Sequence, residues 1–161
     1  MSNPYNEIFM KRAIELSRKA SIVEKSGGVF GAVIVKDGKI IGEGYNQVIK
    51  TNDPTWHAEM QAIREACKKL GTPHLEGCEL YTSAECCPMC LAASYWAHIN
   101  HIYYGATTGD ALKYGKFADI DILDEVRKDP NKRRIQWTEK LRPEAVEVWK
   151  EFAAQPHPVH Y

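Results

Sequence analysis

The sequence predicts an α/β fold, and three observations predict it. A long opening segment carries apolar residues at helical spacing, two short apolar runs joined by a tight turn follow it, and beyond them strand-like and helix-like segments alternate. The hairpin makes the first pairing antiparallel and the alternation makes later pairings parallel, so the central sheet is expected to be mixed. A chain of 161 residues is the size of one ordinary domain, and residues 1–161 are expected to fold as a single domain around its own core.

Taken in order, Tyr5 to about Ser26 reads as a helix, with Ile8, Phe9, Ala13, Ile14, Leu16 and Ala20 on one face and Lys11, Arg12, Glu15 and Arg18 between them. Gly27-Gly28 is expected to stop it, because glycine takes left-handed backbone geometry without penalty. Phe30–Val35 and Ile40–Tyr45 read as two strands joined by the turn Lys36-Asp37-Gly38-Lys39. A polar loop with Asn46, Asn52, Asp53 and Pro54 leads to a helix from His57 to Leu70, whose apolar stripe is Ala58, Ala62, Ile63, Ala66, Cys67 and Leu70. Cys78–Thr82 is a third strand. Pro88 opens the next helix, where its missing N–H costs nothing, and Ile99–Tyr104 is a fourth strand closed by Gly105. Short helices are expected at Ala111–Tyr114 and Ile120–Val126, a fifth strand at Arg133–Thr138, and a helix from Glu144 to Ala153. The tail from Gln155 to Tyr161 carries two prolines and is not helical.

Composition excludes several classes. Lys plus Arg and Asp plus Glu each number 21, for a net charge of +0, and a polynucleotide binder usually carries a basic excess. No apolar stretch is long enough to span a bilayer, and the N-terminus lacks the basic and apolar regions of a secretory signal, so a soluble, cytoplasmic protein is expected. Three of the five cysteines crowd into Cys86–Cys90, a spacing that suits a metal better than a disulfide framework.

Two segments carry the chemistry: Trp56-His57-Ala58-Glu59 and Glu85-Cys86-Cys87-Pro88-Met89-Cys90. Placed at two helix N-termini, His57, Cys87 and Cys90 offer one imidazole and two thiolates, which balance the charge of Zn²⁺ and leave a fourth position open to water. Glu59, two residues past the histidine, is placed to move the water's proton without being a ligand. The residues alone reach as far as a zinc hydrolase. A structural zinc is the alternative, with Cys86 as a fourth ligand. Cys67 and Cys78 read as small apolar packing groups, and His74, His98 and His101 as surface or interface residues.

The pattern H-x-E followed by C-x-x-C resembles the cytidine-deaminase-like zinc deaminases, in which the glutamate is the general acid and base. Gly28-Val29-Phe30-Gly31-Ala32-Val33-Ile34-Val35 and Asn52-Asp53-Pro54-Thr55-Trp56-His57-Ala58-Glu59 resemble the guanine deaminase branch. The resemblance implies a three-layer α/β/α sandwich with a central mixed sheet. It also implies a homodimer whose C-terminal segment is exchanged to close the partner's active site. The implied reaction is zinc-dependent conversion of guanine or a close aminopurine, with water, to xanthine and ammonia. His57, Cys87 and Cys90 would bind zinc and Glu59 would be catalytic. Asn46 would hold the purine, Phe30 and Trp96 would line the pocket, and Asp119, Glu139 and Tyr161 would complete it. A small nucleobase or nucleoside is the implied partner, and the composition argues against a membrane and against nucleic acid. Cys86 and Val29 stand where the family usually has proline, and Trp56 where it has a small residue. The alternatives are deamination of guanosine, cytosine, a triazine or pterin, or adenosine in tRNA, and a zinc module without catalysis.

Overall fold

The computed structural model describes residues 4–161, which form two compact units that divide after Ile120. In chain order the elements are α1 (Glu7–Arg18), a π-helical turn (Lys19–Val23), β1 (Gly31–Lys36), β2 (Lys39–Tyr45), α2 (Val48–Thr51), α3 (Ala58–Leu70) and β3 (Cys78–Ala84). They continue with α4 (Pro88–Trp96), β4 (His101–Ala106), α5 (Thr108–Gly115), α6 (Asp119–Arg127), a 3-10 turn (Pro130–Lys132) and α7 (Arg142–Ala153).

The sheet runs in the order β2-β1-β3-β4. β1 pairs antiparallel with both β2 and β3, whereas β3 and β4 run parallel, with Thr82 opposite Tyr104. The mixed sheet is therefore as expected. Asp37 (φ 49°) and Gly38 (φ 71°) both take left-handed geometry in the hairpin, the condition for a two-residue turn whose twist matches the strands.

Alternation along β1 builds the three layers. Ala32 and Ile34 face one side, where they pack with Leu80 of β3 and with Ala58, Ala62 and Ala66 of α3. Val33 and Val35 face the other, with Tyr81 of β3 and with Met10 and Leu16 of α1. Because both faces are covered, β1 is apolar from Gly31 to Val35, and every residue of β3 is buried, including Glu79 and Thr82.

The contact between β2 and α3 is unusually close. A Cβ on Gly42 would lie 2.3 Å from the Ala62 carbonyl oxygen, and one on Gly44 would lie 1.9 Å from that of Ala58. The alanine stripe of α3 and the two glycines of β2 thus bring backbone against backbone, and this sets the height of α3 above the sheet.

The structure differs from expectation at three places. α1 gives way to the π-helical turn, and the chain reverses at Lys25 (φ 52°), upstream of Gly27-Gly28. Gly27 instead makes room for Asn46, whose Oδ1 would sit 1.9 Å from a Cβ there. β4 continues through Gly105 to Ala106, paired with Ala84. Arg133–Thr138 is not a strand. Its opening residues bond elsewhere: the backbone N–H of Arg134 donates to Glu125 Oε2 at 2.7 Å, and the Arg133 side chain donates to the carbonyls of Val126 and Lys128. No helix among the described residues is long and apolar enough to cross a membrane.

Arg12 of α1 joins β2 through a two-pronged ion pair, donating from Nε to Glu43 Oε1 at 2.9 Å and from Nη2 to Oε2 at 2.8 Å. The bond from Arg12 holds the Glu43 carboxyl below the ordinary value of 4.5. A depressed carboxyl stabilises the fold above its unfolded pKa and loses that contribution as pH falls through the folded value. Both side chains are about a third exposed, at 37% and 35%, so water screens much of the attraction. Glu43→Gln is expected to cost about 1 kcal/mol or less at pH 7. The cost should vanish as pH drops below the carboxylate range, which urea unfolding across pH would show.

Candidate active site

The site lies where the N-termini of α3 and α4 converge beyond the end of β3. His57 is the N-cap residue of α3 and Cys87 the N-cap residue of α4, both with extended backbone, and neither side chain caps its own helix. Both are thereby free for another partner. Glu59 is the second residue of α3, and Cys90 lies three residues past Cys87, on the same face of α4.

His57 Nδ1 stands 3.5 Å from Cys87 Sγ and 3.5 Å from Cys90 Sγ. A tetrahedral ion with Zn–N near 2.0 Å and Zn–S near 2.3 Å requires N···S separations of about 3.6 Å, so the three donors fit zinc as they stand. Their ligand atoms all lie within 4.8 Å of one another. Cys86 does not join them. Its side chain packs against the core between sheet and α3, and burial, then the charge of Glu59, push its thiol pKa up. With three protein donors, one tetrahedral position remains open.

Electrostatics prepare the donors. The Cys87 thiol is lowered to about 4, first by the hydrogen bond from Cys90 and also by the bond to His57. Cys90 is pushed up by that same bond and by burial. The imidazole of His57 is raised, chiefly by its bond to Cys87. A metal binds cysteine as thiolate, so its arrival must displace any proton the two sulfurs carry. The positive ends of two helices favour the resulting anions.

Glu59 is buried, at 3% exposure, with one carboxylate oxygen 3.5 Å from Cys90 Sγ and the other 3.2 Å from the hydroxyl of Thr82. Burial raises its pKa. Thr82 has a single hydroxyl proton and a second acceptor, the Ala84 carbonyl at 3.0 Å, so it can hold Glu59 whether or not that carboxyl carries a proton. Sequence reading missed Thr82; its one signal was a hydroxyl in an otherwise apolar strand. Glu85 was also missed in this respect: its Oε2 accepts from the N–H of Thr108 at 2.6 Å, tying the loop before the cysteines to the start of α5.

The other residues singled out from the sequence lie as follows. Asn46 is buried, and its Oδ1 accepts from the N–H groups of Gly28 and Val48, both at 3.2 Å. Two backbone donors fix which end of the amide is oxygen and leave Nδ2 as the end able to meet a ligand. Phe30 packs edge-on to Phe117, with ring centroids 5.0 Å apart, and lines a largely apolar cavity of about 510 Å³ with Val29, Ser83 and Tyr114. Asp119 is half-buried and feels the cluster electrostatically; burial, then the negative charge of Cys87, push its carboxyl up. Trp96 is 64% exposed at the end of α4. Glu139 and Tyr161 belong to the second unit, where both are exposed and Glu139 pairs with Arg142 at 3.8 Å. The indole of Trp56 turns along α3, donating to Gln61 at 3.3 Å with Arg64 over its ring.

Comparison with known proteins agrees with this geometry. The chain is 48% identical over 153 residues to the guanine deaminase of Bacillus subtilis, covering 92% of this chain and 96% of that one. The X-ray structure of that Bacillus subtilis enzyme superposes with a TM-score of 0.86 at 44% identity, over 97% of this chain and 100% of the other. The tRNA-specific adenosine deaminase of Aquifex aeolicus is 40% identical over 146 residues, 91% of this chain and 92% of that one. Residues 4–106, which span α1 to β4 and hold all three donors, match the cytidine and deoxycytidylate deaminase zinc-binding region, and the chain belongs to that family.

Proposed function

We propose that the protein is a zinc-dependent aminohydrolase that converts guanine, or a closely related aminopurine, with water to the oxo-purine and ammonia. The observation that carries the reaction is the position of Glu59, buried beside Cys90 yet outside the donor set. The choice of guanine rests on likeness to the Bacillus subtilis guanine deaminase over nearly its whole length.

His57, Cys87 and Cys90 would hold the zinc, which when bound supplies a Lewis acid that makes water nucleophilic near neutral pH. Glu59 takes one proton from the attacking water and gives it to the ring nitrogen beside the carbon bearing the amine. It then carries the second proton from the added hydroxyl to the departing amine, which leaves as ammonia while the carbon becomes a carbonyl. A carboxyl raised by burial suits a group that must both accept and return protons. Asn46 Nδ2 would donate to the purine, and Phe30 would stack or wall it. Asp119, which feels the charge of Cys87, would complete the pocket within the protomer, and the exposed Trp96, Glu139 and Tyr161 would join it only across the dimer.

The single catalytic domain would work as a homodimer in which the C-terminal segment closes the partner's site. Supporting this, no described residue of 121–161 is buried, although Ile135, Trp137, Val148 and Trp149 are among them. Five free cysteines suit a reducing, cytoplasmic setting.

A second reading, deamination of adenosine in tRNA, is favoured by the Aquifex aeolicus relative. The net charge of +0 counts against it. Ammonia release by zinc-loaded protein decides between them. Guanine is expected to turn over, with guanosine, cytosine and a tRNA anticodon stem-loop at least 100-fold slower in kcat/KM, about 2.7 kcal/mol of discrimination. Release from none of the aminopurines would overturn the proposal, and release from the stem-loop alone would establish the second reading.

A further inference from the structure

The zinc donors use the N-terminal ends of α3 and α4; the other ends of the same two helices also converge. α3 stops at Gly71 and α4 at Ala97, and the segments that follow are locked together by the Leu75 N–H, which donates to the Ala97 carbonyl at 2.7 Å. The Asn100 N–H adds a bond to the Cys78 carbonyl at 3.2 Å, and the Gly77 N–H donates to Asn100 Oδ1. Three side chains meet across this junction. One ligand atom each from His74, Glu76 and His98 lies within 4.8 Å of the other two.

Two further observations single out this cluster. His98 holds a left-handed backbone (φ 56°), a geometry that side chains other than glycine adopt at a cost. That geometry brings its ring to the His74 ring, with centroids 5.0 Å apart. His74 Nδ1 is buried and has no hydrogen-bond partner within the protein. An imidazole nitrogen that no protein group satisfies is one that an ion or an ordered water would serve, and the cluster around this ring supplies the further donors of an ion.

We propose that His74, Glu76 and His98 form a second divalent-metal site, separate from the catalytic one. Two imidazoles and one carboxylate are the donors of a borderline ion such as Zn²⁺, Co²⁺ or Ni²⁺, whereas Mg²⁺ and Ca²⁺ require oxygen ligands. The negative ends of α3 and α4 face this junction, so the dipoles that favour thiolates at one end favour a cation at the other. The nine residues of α4 separate the two sites by about 13 Å along the helix, too far to share an ion. Glu76 and His98 are exposed, so this ion exchanges with solvent and binds more weakly than one held by two buried thiolates. Its role is a clamp. It fixes the entries to β3 and β4 relative to the helices whose opposite ends carry His57, Cys87 and Cys90.

The test is metal titration of the full chain already loaded with one equivalent of zinc. A second equivalent of Zn²⁺ is expected to bind in the micromolar range and to raise the melting temperature by several degrees. Added Co²⁺ should contribute weak d–d bands without new thiolate charge-transfer absorption. His98→Asn removes the imidazole while keeping a side chain that tolerates left-handed backbone. That variant, and His74→Gln, are each expected to weaken the second equivalent at least tenfold and leave the first intact. The doubly substituted His157→Asn/His160→Asn control is expected to bind as the parent does. Saturation at one equivalent would overturn the proposal. So would a second equivalent held equally well by His98→Asn and His74→Gln, or one lost only in the tail control.

Discussion

Glu59→Gln is expected to retain zinc at His57, Cys87 and Cys90 while lowering kcat at least 10³-fold, about 4 kcal/mol of transition-state stabilisation. Glutamine has the shape of the carboxylate and can still accept from Thr82 through Oε1, so the cluster should keep its form. What it lacks is a site that takes a proton and returns it. Zinc content of the desalted variant, measured beside turnover of guanine at saturation, separates the two effects. Activity within tenfold of the parent would remove Glu59 from the reaction. Stability supplies a second readout, because burial penalises the charge on Glu59. Neutralising it should leave the zinc-loaded variant melting no lower than the parent, as expected where a group is kept for function at the expense of stability.

The chemistry of this site was legible because its parts are local. His57 and Glu59 are two residues apart, Cys87 and Cys90 three, and each pair opens a helix whose start the sequence marks, by the onset of an alanine stripe in α3 and by Pro88 in α4. Which of two adjacent cysteines ligates is also a local matter: the helical turn carries Cys87 and Cys90 to one face and leaves Cys86 to the core. The hairpin was equally legible, since Asp37-Gly38 states its own backbone geometry.

What escaped is non-local. Thr82 meets Glu59 only because β3 lies beneath α3, and nothing near Thr82 in sequence announces that contact. The expected strand at Arg133–Thr138 had suitable side chains, but its opening residues bond locally to Glu125, Val126 and Lys128, and propensity without a pairing partner does not make a strand. Gly27-Gly28 suggested a helix stop when the space at Gly27 belongs to Asn46, a residue many positions away. The histidines at 74 and 98, each unremarkable alone, come together only through the ends of two helices.

Gly44→Ala tests how far the site depends on that non-local packing. A Cβ there would stand 1.9 Å from the Ala58 carbonyl oxygen and 2.9 Å from the nitrogen of Ala62, both backbone atoms that cannot rotate aside. Relief needs a shift of about 1 Å between β2 and the start of α3, the kind of overpacking that costs about 1–3 kcal/mol or more. Ala58 sits between His57 and Glu59, so the shift moves a zinc donor and the proposed proton carrier together. Misplacement on that scale is expected to lower kcat/KM about 10²-fold as well as to weaken zinc retention. Gly109→Ala is the matched control, because a Cβ there meets only Thr107 Oγ1 at 3.5 Å, an ordinary contact. It should leave melting temperature, zinc content and turnover near the parent values. If Gly44→Ala melts and turns over like Gly109→Ala, α3 is free to ride away from β2, and the height of that helix above the sheet does not set the position of His57 and Glu59.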